Sequence, residues 1–217
     1  MIKMLLKVAL GLVCAVAVAQ AEVVAPDVLI RDTAQEVIAI VKQDPEFKAG
    51  NQKKILALVD AKVLPNFDFV RMTQLAMGKY WRRATSEQKQ ALVSEFRNML
   101  VRTYTKAFTL YRDQSIEVKP LRMAAGDTET TVKTRVIKSG AQPTAVDYQM
   151  KKAADGWKVF DVAIEGVSMV TSYRGTFATQ IEQSGDVAQG IDALIKKLSD
   201  MNDDASADVV SRKAGAK

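Results

Sequence analysis

From Pro26 to Gln43 the apolar positions Val28, Ala34, Val37, Ile38 and Val41 recur at steps of three and four, with Asp27 near the start. The pattern predicts an amphipathic helix over 26–43. A second follows at 51–63, with Ile55, Leu58, Val59 and Val63 on one side and Pro65 to end it. Asp68 can cap a third, in which Phe69, Met72, Leu75 and Ala76 stack before Gly78 stops the run. The strongest periodic signal starts at Thr85 or Ser86. There Leu92, Phe96, Leu100, Tyr104, Ala107, Phe108 and Tyr111 stay in phase for about seven helical turns.

After Arg112 the period drops to two. Ile116 and Val118 open it, and TETTVKTRVIK at 128–138 continues it. Val146, Tyr148 and Met150 alternate with Asp147, Gln149 and Lys151, and Asp155-Gly156 turns the chain into WKVFDVAIE at 157–165. These segments predict a four-stranded antiparallel sheet. Val159 is out of phase with Phe160, Val162 and Ile164, so either both faces of that strand are covered or a bulge intervenes. Helices near 168–183 and 186–199 follow, and 202–217 reads as a polar, disordered tail. The expected class is α+β, with N-terminal helices packed on the sheet and C-terminal helices after it.

The first 21 residues stand apart. Lys3 and Lys7 precede an apolar run from Val8 to Ala19, and Ala19-Gln20-Ala21 leads into Glu22, which is the pattern of a signal peptide cleaved after Ala21. The run is about a dozen residues, shorter than the roughly 20 that span a bilayer as a helix. Cys14 lies inside it without the small residue that a lipoprotein signal places just ahead of its cysteine. The working chain is then one domain over 22–201, exported, with the periplasm as the expected compartment.

Export changes what composition means. The 217 residues include 31 Lys+Arg, 25 Asp+Glu, no histidine and one cysteine, for a formal charge of +6. Removing 1–21 takes Lys3, Lys7 and Cys14, leaving 29 basic against 25 acidic residues, a net +4 and no thiol. Stability must then come from burial rather than disulfides. Catalysis by Ser-His-Asp or Cys-His systems is excluded for want of an imidazole. No phosphate loop, calcium loop or metal-ligand spacing is present, so no metal and no cofactor is expected. The basic residues are scattered or paired (Lys53-Lys54, Arg82-Arg83, Lys151-Lys152, Lys196-Lys197) rather than gathered in a stripe, which argues against nucleic acid.

Two readings of the remaining side chains compete. An Asp general base and a Tyr donor facing an apolar cavity would make an isomerase-like enzyme, and Asp161 with Tyr148 is the available pair. Alternatively Phe69, Met72, Phe96, Leu100, Tyr104, Phe108, Tyr148, Met150, Val162, Ile164, Met169, Tyr173 and Phe177 act as a set; on periodicity alone they are core.

What raises a ligand reading is a resemblance. The run FDFVRMTQLAMGKYWRRATSEQ at 67–88, the helix through Phe96, Tyr104 and Tyr111, and DVAIEGVSMVTSYRGTF at 161–177 resemble the MlaC family, also called toluene-tolerance auxiliary proteins. The most specific parts are Gly78-Lys79-Tyr80-Trp81, Ala84-Thr85 with Gln88, Val162 to Ser168, and Tyr173-Arg174. The likeness covers about residues 26–200. It implies an NTF2-like cone with an apolar cavity between sheet and helices, and no enzymatic activity. It also implies a monomeric periplasmic phospholipid carrier that maintains outer-membrane lipid asymmetry. Its partners would be an outer-membrane lipoprotein–porin complex and an inner-membrane ABC transporter with an MCE-domain protein. In that reading the apolar set lines the cavity, and Arg82 and Arg174 meet the headgroup. A lipid-free periplasmic adaptor is the further alternative.

Overall fold

The computed structural model describes residues 23–109 and 114–214. Residues 1–21, expected to be a signal peptide, together with Tyr111 and the side chain of Phe108, lie outside the described residues. Helix α1 (Pro26–Gln43) has Pro26 in its first turn, where the missing N–H costs nothing, and Asp27 and Lys42 at the ends that suit their charges. A single-turn helix α2 (Pro45–Lys48) follows, capped by the Asp44 side chain. Helix α3 (Gln52–Leu58), capped by Asn51, widens into a π-helical turn at Val59–Val63 and tightens into a 3-10 turn at Leu64–Asn66. The uniform helix expected over 51–63 is thus two geometries, with Ile55, Leu58 and Val59 still buried against Val37 and Val41 of α1.

Helix α4 (Phe69–Met77) begins where the Asp68 carboxylate accepts the Arg71 N–H at 2.8 Å, and ends at Gly78, whose φ of +52° few other residues would adopt. Residues 78–83 form a 3-10 turn into α5 (Ser86–Thr109). The entry to α5 is a reciprocal capping box: the Thr85 N–H donates to the Gln88 amide oxygen at 3.0 Å, and the Gln88 N–H to the Thr85 hydroxyl at 3.2 Å. The Gln88 amide nitrogen also reaches Asp192 at 2.7 Å, so the motif clamps α5 to the last helix.

The sheet is an antiparallel meander of five strands, in the order β1 (Ser115–Val118), β2 (Glu129–Ile137), β3 (Thr144–Ala153), β4 (Gly156–Ile164) and β5 (Val167–Ser168). The four-stranded expectation is corrected by β5, a two-residue strand made possible by the tight turn at Glu165 and Gly166, both at positive φ. The β3–β4 turn residues are Ala154 and Asp155; Gly156, at φ +122°, already pairs with Ala153. The register passes from Met150 opposite Val159 to Gln149 opposite Asp161, so Phe160 is an extra, bulged residue. That bulge brings Val159 and Val162 onto one face.

That face, carrying Val132, Met150, Trp157, Val159 and Val162, is covered by Ile30 and Leu29 of α1. The other face is mostly exposed, as the alternating burial of β2 shows. The free edge of β4 is closed by residues 65–68: Asp68 N–H donates to the Val159 carbonyl at 2.8 Å, and Lys158 reaches the Pro65 carbonyl at 2.8 Å. Helices α6 (Met169–Glu182) and α7 (Val187–Ala214) pack with α4 and α5 in a helical layer. Helix α7 runs far past the expected end near 199, beyond the expected domain limit at 201. Asn202 is buried, and its amide donates to the Glu95 carboxylate at 2.7 Å and carbonyl at 3.1 Å.

Candidate functional site

The expected lining residues fall into two apolar clusters. Met72, Phe96, Leu100 and Phe177 are buried in the helical layer, with Phe69, Tyr104 and Tyr173 at its margin. Met150 and Val162 belong to the sheet cluster, with Tyr148 at its margin. Met169, at the start of α6, packs against both clusters, and so does Phe67, which sequence reasoning missed. The signal for Phe67 was present in its place just after Pro65 and before the Asp68 cap, but its pairing with Val159 is a tertiary contact.

The helical cluster is sealed around Phe96. Its ring meets Tyr173 and Phe177 edge-on, each at 5.2 Å between centroids. Burial pushes the Tyr173 phenol up to about 12, with the Tyr104 phenol and a hydrogen bond to it adding to the effect. Tyr148 is pushed up as well, by burial alone.

The sheet cluster is open at one end. Along the inward face of β4 exposure rises from 0% at Val159 to 7% at Val162 and 38% at Ile164, and Val167, paired with Ile164 across the turn, is 64% exposed. A continuous apolar strip therefore runs from the interior to the surface at the β4–β5 turn. Ile164, expected as an interior lining residue, is its lip.

Asp161 and Tyr148 do not form a catalytic pair. Tyr148 stands opposite Val162 on the inward face, whereas Asp161 stands opposite Gln149 on the outward one. The Asp161 carboxylate, 4% exposed, is also fully engaged. It accepts from the N–H groups of Val162 (2.9 Å) and Val170 (3.1 Å), the Ser168 hydroxyl (2.5 Å) and the Gln149 amide (3.2 Å). Its work is to hold the β4–β5 turn against the first turn of α6, so the isomerase-like reading fails on geometry.

Arg82 and Arg174 do come together. They line an open cleft of about 490 Å³ with Arg71, Gln74, Leu75, Gly78, Lys79 and Trp81. Arg174 lies across the end of α4: its Nε–H donates to the Leu75 carbonyl at 2.9 Å, and its stem rests beside Gly78. Arg71, Gln74, Leu75 and Gly78 are on the side of α4 opposite its buried residues Met72, Thr73, Ala76 and Met77. Arg71 and Lys79 were not singled out from sequence, although Arg71, Gln74, Leu75 and Gly78 follow the helical period.

The chain is similar in sequence and fold to known proteins. The family described as MlaC protein matches residues 31–200 of the chain. The chain belongs to the MlaC family. Among its relatives, the MlaC intermembrane phospholipid transport system binding protein of Haemophilus influenzae is 23% identical, over 73% of this chain and 70% of its own length. The toluene tolerance protein ttg2D of Pseudomonas putida is 25% identical over 74% of each. A phospholipid-binding protein from Ralstonia solanacearum, solved in complex with a phospholipid, is 36% identical and covers 84% of this chain and 99% of its own, with a TM-score of 0.76. The MlaC family is one of phospholipid-binding transport proteins. No described helix of this member is long and apolar enough to cross a membrane.

Proposed function

We propose that the chain is a periplasmic phospholipid carrier that works by binding alone. As a monomer it would hold acyl chains between the inward sheet face and the helices of an NTF2-like cone, and sustain outer-membrane lipid asymmetry. It would pass lipid between an outer-membrane lipoprotein–porin complex and an inner-membrane ABC transporter bearing an MCE-domain protein. The observation that carries the reading is the apolar strip that leaves the sheet cluster and reaches solvent at Ile164 and Val167. Support comes from the Ralstonia solanacearum relative, which is phospholipid-bound and matches nearly end to end.

The energetics fit such a task. A phospholipid with about 30 acyl methylenes loses roughly 24 kcal/mol on entering water, at about 0.8 kcal/mol per methylene. A carrier lined as apolarly as a bilayer moves the chains between equivalent surroundings, so neither uptake nor delivery is a trap. Met150 and Met169 add adaptability to mixed chain lengths. The headgroup, expected from sequence at Arg82 and Arg174, is read here at the open end of the strip, because the arginine cleft lies across α4 from the buried interior. Direction of transfer comes from the ATP-hydrolysing partner, and a modest net charge suits weak, salt-sensitive docking.

Native mass spectrometry of the purified protein tests this directly. A co-purified phospholipid is expected, and a lipid-free protein with a closed interior would sink the carrier reading. Ile164→Glu places a carboxylate at the lip, where water can still reach it, so the protein should fold and lose most of its lipid. Full lipid occupancy in that variant would refute the strip as the path.

A further inference from the structure

The cleft at the end of α4 is charged in an unusual way. Four cations line it (Arg71, Lys79, Arg82 and Arg174), and no acidic residue does. Lys79 is ion-paired, with Glu182 at 3.3 Å. Among the described residues the three guanidinium groups have no carboxylate within ion-pair distance. Arg71 stacks over the bulged Phe160 ring at 5.8 Å, and its buried Nε–H has no acceptor. Arg174 uses Nε on the Leu75 carbonyl, and Arg82 is exposed and has no partner among the described residues. Planar guanidinium groups lining one cleft without counter-charge suit an anion with several oxygens, and phosphate matches the fork geometry of such a group.

The surroundings are not purely polar. Leu75 and the half-buried Trp81 indole line the same cleft, and Val70, beside Arg71 on α4, is 55% exposed. Aliphatic and indole surface beside unpaired arginines matches the headgroup boundary of a bilayer, where Trp settles and Arg meets phosphate. We infer that this cleft seats the carrier on a membrane surface by binding the phosphodiester groups of anionic lipids, apart from the site that holds the carried acyl chains. The inference rests on the carrier reading for its reason to visit bilayers. It orients the molecule, since docking through α4 and the 78–83 turn fixes which side faces the lipid.

The test is sedimentation of the protein, purified after export, with vesicles of phosphatidylcholine alone or with added phosphatidylglycerol, alongside native mass spectrometry for carried lipid. Binding should require phosphatidylglycerol and weaken with salt. Arg82→Gln should lower it about fivefold, whereas Lys152→Gln, which removes the same charge from an exposed hairpin position, should change it little. Carried lipid should be the same in both variants. Equal losses in the two variants would reduce the effect to net charge and overturn the proposal. So would binding indifferent to phosphatidylglycerol, as expected if the cleft serves an acidic protein segment. Joint loss of vesicle binding and carried lipid in Arg82→Gln would place the cleft in the carried lipid's own site and also overturn it. A protein that never carries lipid yet binds vesicles through Arg82 would sink the carrier reading and leave this one standing.

Discussion

The helical layer and the inward sheet face are built from the same kinds of side chain and end differently. Around Phe96 the apolar residues of α4, α5, α6 and α7 close on one another, and the aromatic contacts of Tyr173 and Phe177 fill the remaining space. Along β4 the apolar series continues past the point where cover runs out, through Ile164 to Val167. An ordinary core would have polar residues at that last position. A sealed cluster stabilises the fold, and an open-ended one beside it offers apolar surface to something outside the chain.

The largest effect should come from breaking the sealed side. Phe96→Ala removes a fully buried ring with two aromatic neighbours and should cost about 3–5 kcal/mol in urea denaturation. Because Phe96 supports the helices rather than lining the strip, the surviving folded fraction should still carry lipid. If the variant kept its stability but lost its lipid, the division into sealed and open regions would be wrong.

A smaller effect is expected at Gly190, where α7 crosses α6. A Cβ built there would lie 2.3 Å from the Ile181 carbonyl oxygen, so Gly190→Ala must push two backbones apart. The cost should be about 2–3 kcal/mol by the same measurement, with carried lipid unchanged. Wild-type stability in Gly190→Ala would mean the two helices pack less closely than their contact indicates.

What could be read from sequence follows from how local its cause is. Helices α1, α4 and α5 were legible because period and cap coincide: Pro26 opens the first, Asp68 the second, and Thr85 with Gln88 the third. The strand alternation was legible too, including the defect at Val159, but alternation could not say that Phe160 was the extra residue. Strand β5 escaped because two residues carry no period and depend on the Glu165-Gly166 turn. Helix α7 outran its expected end because Asn202 is anchored to Glu95 on α5, a long-range bond behind a polar stretch. The candidate site was legible in its members and not in its division. A methionine or valine looks the same whether its neighbours close over it or leave it at a lip, so exposure at Ile164 and burial at Met150 emerge only from packing. Asp161 and Tyr148 are the converse: side-chain chemistry suggested a pair that strand register sets on opposite faces.

The smallest effect sharpens the comparison with pH. Tyr173 borders the helical cluster, and its phenol is held neutral to about 12 by burial, with Tyr104 adding to the shift. In the unfolded chain a tyrosine ionises near its ordinary value of about 10. Below that value both states keep the proton, so the contribution to stability is fully present; above it the unfolded chain releases the proton first, and stability falls until the folded phenol ionises as well. The protein should therefore lose stability between about pH 10 and 12. Tyr173→Phe should be slightly less stable near neutrality, having lost its hydrogen bond with Tyr104, and should decline less steeply in that window. The remaining slope then reports Tyr148, whose phenol is raised by burial alone on the sheet side, together with Lys54, Lys79 and Lys196, each raised by its hydrogen-bonded partners. An alkaline slope identical in wild type and Tyr173→Phe would show that the margin of the helical cluster is as open to water as the end of the β4 strip.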